Sequence, residues 1–309
     1  MTITRYAISR LIAMIPTLII LTILVFLMVQ LVPGDPAEIF LGEKRSTPEL
    51  LEQVRHEMGL DQPLYVQYLT YMGNLVRGDL GESLFNDQSV LDQILVAMPY
   101  TLTLALSALL ISTVLGVSLG IVSALKHNTW ADTLSMGIAL LGVSMPVFWL
   151  GLLLILIFSV NLKWFPPMGQ GSLDRLVLPA LTLGLLSSAT LARLVRSSML
   201  DVLSDDYIRT ARAKGLRRNA IVIRHALRNA LIPAVTVMGL QFGGLISGAV
   251  ITETIFARIG LGRMYVESIL NKDITMIQGL TLVLAIIIML INIVVDLSYA
   301  ALDPRIRYE

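Results

Sequence analysis

Apolar positions in this chain run in long blocks rather than in stripes. The stretches 11–32, 101–125, 133–160 and 274–295 hold no charged residue. Each is long enough to cross about 30 Å of hydrocarbon at about 1.5 Å of rise per helical residue. Two further blocks complete the set: 176–192, which carries Pro179, and 230–252, which is interrupted by Pro233, Gly239, Gly243, Gly244 and Gly248. Spanning helices tolerate proline and glycine when their neighbours satisfy the backbone. The pattern therefore predicts an all-α fold with six transmembrane helices. Arg5 and Arg10 precede the first block as they would a secretion signal. The block is longer than a signal core and lacks a small-x-small cleavage site, so a retained anchor is expected.

Polar positions between the blocks predict shorter elements. In 33–100, residues 49–58 have helical spacing, Gly59 breaks it, and 64–75 interleaves Tyr65, Tyr68 and Tyr71 with Leu64, Leu69 and Leu75. Two or three short helices near the membrane surface are expected there. They either cap the bundle or offer a docking surface to an external partner. In 193–229, Ser204 suits an N-cap, Asp205 and Asp206 place negative charge at the positive end of a helix dipole, and Gly215 suits the left-handed C-terminal position. These signals predict a helix of about ten residues, about 15 Å long, over 206–215. Tyr207, Ala211 and Gly215 then share one face, aromatic at one end and small at the other, which another protein could approach closely. A second helix, 220–231, is expected to enter the membrane at Pro233. Contact with anionic lipid would also suit the basic charge of this loop, but lipid attraction alone requires no caps.

Composition agrees with a chain mostly embedded in a bilayer. Hydrophobic residues make up 55% of its 309 positions, charged residues 15%, and the mean hydropathy is +0.77, beyond the usual range of a soluble domain. The absence of cysteine excludes disulfides, thiolate metal sites and a cysteine nucleophile. His56, His127 and His225 lie in separate polar segments, so no metal site or cofactor is expected. Charge is sorted by loop. With the N-terminus inside, segments 1–10, 126–132, 193–229 and 296–309 carry 14 of the 23 Lys and Arg residues, which predicts cytoplasmic N- and C-termini. Segment 33–100 has four basic and eleven acidic residues, whereas 193–229 has nine basic and three acidic. The expected organisation is 1–100, the first helix plus a large extracytoplasmic loop, and 101–309, a five-helix core with a cytoplasmic loop at 193–229. The basic residues serve this topology, and no nucleic-acid partner is expected.

Candidate chemistry is sparse, and no catalytic residue emerges. Gly116-Val117-Ser118-Leu119-Gly120 has the spacing of a hydrolase nucleophile elbow. It sits inside an apolar helical block, without the preceding strand or an intramembrane histidine, so helix packing is the expected role. Gly239, Gly243, Gly244 and Gly248 form small-x-x-x-small pairs that either pack helices or line a translocation path. Glu253 and Asp296 close the fifth and sixth blocks. Ionisable groups at membrane depth are functional candidates, and Glu253 is retained as a path candidate beside an interface where ordinary solvation is expected. A phosphate-binding loop needs a Gly-Lys pair, and none of Lys44, Lys126, Lys163, Lys214 and Lys272 follows a glycine. An ATPase motor would have to be a separate chain.

Several blocks carry a family resemblance. They are Leu31-Val32-Pro33-Gly34-Asp35-Pro36, Gly59-Leu60-Asp61-Gln62-Pro63, Gly78-Asp79-Leu80-Gly81, Arg196-Ser197-Ser198-Met199-Leu200, the segment 206–215, Arg224-His225-Ala226-Leu227-Arg228-Asn229-Ala230, Thr252-Glu253-Thr254-Ile255-Phe256, Gly260-Leu261-Gly262-Arg263 and Asp303-Pro304-Arg305-Ile306-Arg307-Tyr308. In order and spacing the chain resembles the peptide-type permease subunits of bacterial binding-protein-dependent ABC importers, a group that includes dipeptide, oligopeptide, glutathione and nickel permeases. The resemblance implies a multi-pass inner-membrane subunit that forms half of a heterodimeric pore with a second, homologous permease. It also implies two ABC ATPase subunits carrying ATP and Mg, and an extracytoplasmic solute-binding protein. Segment 206–215 is similar to the family's "EAA" loop, which seats in the ATPase. Asp206, Tyr207, Thr210, Ala211, Arg212 and Gly215 become coupling candidates by that resemblance. Thr210-Ala211-Arg212 stands in place of Glu-Ala-Ala, and Pro233 lies farther from Gly215 than in the general motif. Both departures resemble the peptide-type variant, with a nickel or metal chelate as the alternative cargo. A self-sufficient secondary transporter would instead need paired intramembrane carboxylates or broken half-helices.

Overall fold

The computed structural model describes residues 3–31, 37, 48–57 and 59–302. Of the expected blocks, 31–36 lies outside them except for Leu31, and 303–308 lies outside them entirely. The described residues are helical apart from turns and an isolated bridge between Glu82 and Ser89. In chain order the helices are α1 (Ile3–Leu31), α2 (Pro48–Glu57), α3 (Leu64–Val76), α4 (Val90–Leu125), α5 (Trp130–Ser144), α6 (Val147–Asn161), α7 (Asp174–Ser204), α8 (Asp206–Ala213), α9 (Arg218–Ile255), α10 (Leu261–Leu270) and α11 (Ile274–Leu302). Helices α1, α4, α7, α9 and α11 are long and apolar enough to span a bilayer.

The block 133–160, expected as one span, is instead two helices, α5 and α6, bent by 109° at 145–146. Pro146 brings no N–H, and the residue before a proline is pushed out of the α region. Met145 accordingly sits at φ −91°, ψ 133°. Counted together, the pair is the sixth span. A second departure is in α9, which runs through Pro233 without a break and contains a π-helical stretch at Ile221–Ala226. The 220–231 segment and the fifth span are therefore one rod.

Two compact units are distinguished. One comprises Pro99–Arg263 with Met1–Ala7 and Leu290–Glu309, the other Ile8–Met98 with Met264–Met289. In the first, small residues let helices close up. A Cβ on Gly116 would lie 2.8 Å from the Leu191 Cβ and the Ser188 carbonyl, and one on Gly120 would lie 2.7 Å from the Val195 Cβ. The hydrolase-like spacing is thus an α4–α7 packing face. Buried polar groups such as Ser112, Ser123, Thr182 and Ser188 occupy the interior while Leu106, Leu110, Val114, Leu152 and Leu156 face outward, an inversion suited to a hydrocarbon solvent.

The second unit holds the short helices expected from 49–58 and 64–75. Phe26 of α1 meets Tyr68 and Tyr71 of α3 at ring-centroid distances of 5.5 and 6.0 Å. Thr22 Oγ1 lies 2.9 Å from the Tyr68 hydroxyl. Burial pushes the Tyr71 hydroxyl up to about 12. Asp273 closes the start of α11 by accepting from the Met276 N–H at 3.1 Å and from the Ser83 hydroxyl and the Leu84 N–H. Segment 83–84 is thereby tied to α11.

Candidate functional site

Helix α8 is shorter than expected, at eight residues. Ser204 does not cap it. Helix α7 continues to Ser204, whose hydroxyl donates to the Asp201 carbonyl at 2.7 Å, and the N-cap position passes to Asp205. The C-terminal end matches its sequence signal. Gly215 adopts φ +77°, its N–H donates to the Arg212 carbonyl at 2.9 Å, and the Leu216 N–H donates to the Ala211 carbonyl at 3.3 Å. This is the paired closure in which a left-handed glycine ends a helix.

What holds α8 in place was not legible as a function. Ile208 is fully buried and Ala211 nearly so, in a cluster with Leu191, Val195 and Met199 of α7 and Ile221, Val222 and Ala226 of α9. The small-residue face expected to receive a partner is therefore turned inward at Ala211. Tyr207 also faces its own chain: its hydroxyl accepts from Asn229 Nδ2 at 2.8 Å. Asp206, Thr210, Arg212 and Gly215 are exposed. An Arg209–Asp206 pair at 3.4 Å is largely in solvent and contributes little. The outward surface is thus polar, on a helix anchored to α7 and α9 through Ile208, Ala211 and Tyr207. Replacing Ile208 with alanine should cost about 2–5 kcal/mol, as for other buried aliphatic truncations, and loosen α8 first. Faster amide exchange at 206–213 than in α7 is the expected readout.

An ion-pair clamp ties α4, α5 and α7 together, between Arg196 of the 196–200 block and an acid that no block contained. Arg196 of α7 donates through Nε and Nη2 to the two carboxylate oxygens of Asp132 in α5, at 2.9 and 2.8 Å. Asp132 also accepts from the Ser123 hydroxyl of α4 and from the Asn128 N–H at 3.0 Å. His127 Nδ1 lies 3.0 Å from Arg196 Nη2. One carboxylate thereby joins three helices. The available sequence signal was an acid and a base, each at the edge of an apolar block.

Expected path residues fall into different surroundings. Gly239 packs under Val295 of α11, where a Cβ would collide. It lines an apolar groove of about 470 Å³ with Leu106, Val235, Phe242 and Val294. Gly248 is close to Leu183, with a Cβ 3.2 Å from its Cδ2, whereas Gly244 is exposed with nothing within 4 Å of a Cβ. Gly243 is half-buried. Glu253 departs from expectation, since it is only 1% exposed rather than solvated. It accepts from the Thr101 hydroxyl at 2.6 Å, the Gly262 N–H at 2.8 Å and the Arg263 N–H at 3.2 Å. The chain from 256 to 262 folds back over it and offers the N-terminus of α10, a natural anion site. Arg258, also buried, has its guanidinium held below its ordinary range by burial, with the charge of Glu253 opposing. A Glu253→Ala exchange strands three donors at about 1–3 kcal/mol each, and a large fall in thermal stability should follow. Retention of wild-type stability would show that Glu253 is dispensable to the fold.

Among the described residues no group of three or more His, Asp or Glu side chains is placed to hold a metal ion. Residues 116–308 match the family model described as "Binding-protein-dependent transport system inner membrane component", and residues 3–105 match that described as the N-terminal region of such membrane components. The chain belongs to this family. It is an inner-membrane subunit of a binding-protein-dependent importer, working with a solute-binding protein and separate ATPase subunits rather than as an enzyme itself. The permease is 46% identical over 305 residues to "Glutathione transport system permease protein GsiC" of Escherichia coli (strain K12), and equally to that of Shigella dysenteriae serotype 1 (strain Sd197), covering 99% of each chain. Its fold resembles the inward-facing MetNI methionine ABC transporter, with a TM-score of 0.59 at 19% identity over 68% of this chain and 96% of that one. An amino acid ABC transporter with histidines gives a TM-score of 0.52 at 14% identity, over 68% and 94%. The ABC importer permease fold is thereby shown.

Proposed function

We propose that the permease forms one half of a heterodimeric pore that carries glutathione or other short peptides inward, driven by two ATPase subunits that grip α8. The termini and α8 face the cytoplasm in this reading, as the lysine and arginine distribution implies. The acidic segment 33–100 faces the binding protein. The cargo class is supported by the relatives named glutathione permeases. One observation carries the coupling role: α8 stands between the end of α7 and the start of α9, pinned inward by Ile208 and Ala211, with Asp206, Thr210 and Arg212 outward. A push on its outer face reaches α9 as a unit because the α8–α9 cluster is close-packed, and packed cores switch rather than deform gradually. No coupling through nucleotide chemistry is asked of this chain. ATP and Mg belong to the ATPase subunits.

Gly215 offers a test that separates coupling from folding. A Cβ there meets nothing within 4 Å, yet φ is +77°, so a bulky residue adds about 1–2 kcal/mol of left-handed strain without a clash. Gly215→Trp protein should reach the membrane and bind the ATPase subunits, while uptake and solute-stimulated ATP hydrolysis fall to background. Wild-type stimulation in that variant would refute the coupling role. The cargo is tested separately by isolating the solute-binding protein that copurifies and measuring its binding of glutathione, dipeptides and nickel chelates. A binding protein that takes none of the peptides would overturn the cargo assignment while leaving the coupling result intact.

A further inference from the structure

Helix α3 has three differently made sides, and its packing on α1 uses only one of them. At about 100° per residue, Tyr65, Leu69, Met72 and Val76 fall together on one side. Tyr68 lies about 60° round from Tyr65, Tyr71 about 120° and Gln67 about 160°, all in the same rotational sense. Tyr65, Leu69 and Val76 are exposed and Met72 is half-buried, so the described residues leave this apolar ridge largely uncovered. Thr70 and Asn74, on the opposite side with Gln67, are exposed as well. No residue of 64–76 is charged.

Contacts with α1 show which way the ridge points. Thr22 Oγ1 lies 2.9 Å from the Tyr68 hydroxyl, Phe26 meets Tyr68 and Tyr71 at 5.5 and 6.0 Å, and Gln30 Nε2 donates to Gln67 Oε1 at 3.3 Å. From Thr22 to Gln30, α1 leaves its apolar span, which ends at Met28. Over the same stretch the partners on α3 move from about 60° to about 160° away from the ridge. The ridge therefore faces back along α1 toward the span, and Gln67, Thr70 and Asn74 face away from it. Thr22 stands six residues inside the end of the span, about 9 Å of helix. The tyrosines of α3 thus lie at the level where the span meets water, the boundary that tyrosine favours.

We propose that α3 lies in the plane of the membrane, with the ridge of Tyr65, Leu69, Met72 and Val76 sunk among the acyl chains beside the C-terminal end of the α1 span. Helices with opposed apolar and polar sides settle at this boundary, with the apolar side about 5–10 Å deep. A soluble binding protein is the less favoured occupant of the ridge. It approaches from water, and so meets the side of Gln67, Thr70 and Asn74 first. The bilayer and α1 together then fix how α3 is turned, and the polar side is presented to the aqueous phase. In the orientation proposed above, the leaflet is the outer one. The inference rests on α1 spanning the bilayer, not on the coupling role of α8 or the identity of the cargo.

Spin labelling of the assembled importer, in nanodiscs of phosphatidylethanolamine and phosphatidylglycerol, tests it. The natural chain has no cysteine, so Tyr65→Cys, Leu69→Cys, Thr70→Cys, Asn74→Cys and Val76→Cys each carry a single nitroxide. Collision with oxygen, which concentrates among acyl chains, is compared with collision with water-soluble chromium oxalate. Oxygen should dominate at positions 65, 69 and 76 and chromium oxalate at 70 and 74, the ratio swinging severalfold with a period of about 3.6 residues. A ratio that is equal on the two sides, or that favours chromium oxalate on the ridge, overturns the proposal. Addition of the solute-binding protein should leave the ratio on the ridge unchanged. Loss of both collisions at 65, 69 and 76 on that addition would assign the ridge to the binding protein and overturn the proposal as well.

Discussion

Asp132→Ala is expected to destabilise the permease by about 3–5 kcal/mol, the usual cost of breaking a buried ion pair by removing one partner. Asp132 has 8% of its side chain exposed and accepts from Arg196, Ser123 and Asn128 together. Its removal strands a guanidinium, a fully buried hydroxyl and a backbone N–H where α4, α5 and α7 meet. Arg196→Ala should cost a similar amount, since the carboxylate then sits against protein without its cation. The two losses share one interaction, so the double variant should be milder than the sum of the singles by more than about 1 kcal/mol. Thermal unfolding of the four proteins in detergent, read by the fraction remaining monodisperse, supplies the cycle. Strictly additive losses would show that the charges of the clamp are not energetically coupled.

Gly120→Leu is the second large expected loss. The new Cβ would stand 2.7 Å from the Val195 Cβ and 2.8 Å from the Ala192 carbonyl, distances that only movement of the α7 backbone can relieve. Overpacking of a tight core costs about 1–3 kcal/mol and more when backbone must shift. The variant is expected to be lost from the membrane fraction, and Gly116→Leu with it. Gly137→Leu is the control, because its Cβ meets nothing within 4 Å, and it should accumulate as wild type does. Comparable accumulation of Gly120→Leu and Gly137→Leu would remove the α4–α7 contact from the account.

Much of the fold was legible because hydropathy over twenty or so residues reports a single physical fact, the solvent that surrounds a helix. Helices α1, α4, α7, α9 and α11 were found on that basis. The bend between α5 and α6 was hidden because Ser144, Met145 and Pro146 interrupt the helix without interrupting the apolar run. Only the missing proline N–H signals it. Ser204 misled because a good capping residue stands where α7 still continues by one residue, and Asp205 is equally able to cap. The site was legible as a segment but not as an orientation. Ile208 and Ala211, three residues apart, could have been read as the inward face of α8, yet Ala211 was grouped with Tyr207 and Gly215. Glu253 was misplaced because solvation at a helix end depends on the following loop, and the fold-back of 256–262 is a tertiary event. The Asp132–Arg196 pair spans 64 residues, beyond any local pattern.

The central claim, that the outer face of α8 is where the ATPase grips the permease, is open to a direct measurement. The natural chain has no cysteine, so Thr210→Cys provides a single thiol on the exposed side of α8. Oxidative cross-linking in the assembled importer, with single cysteines placed in turn along the ATPase groove, should yield one permease–ATPase disulfide that stops uptake and releases it on reduction. Tyr65→Cys, exposed on α3, should yield none. Failure of Thr210→Cys to cross-link in a complex whose subunits copurify, or equal cross-linking from Tyr65→Cys, would contradict the account.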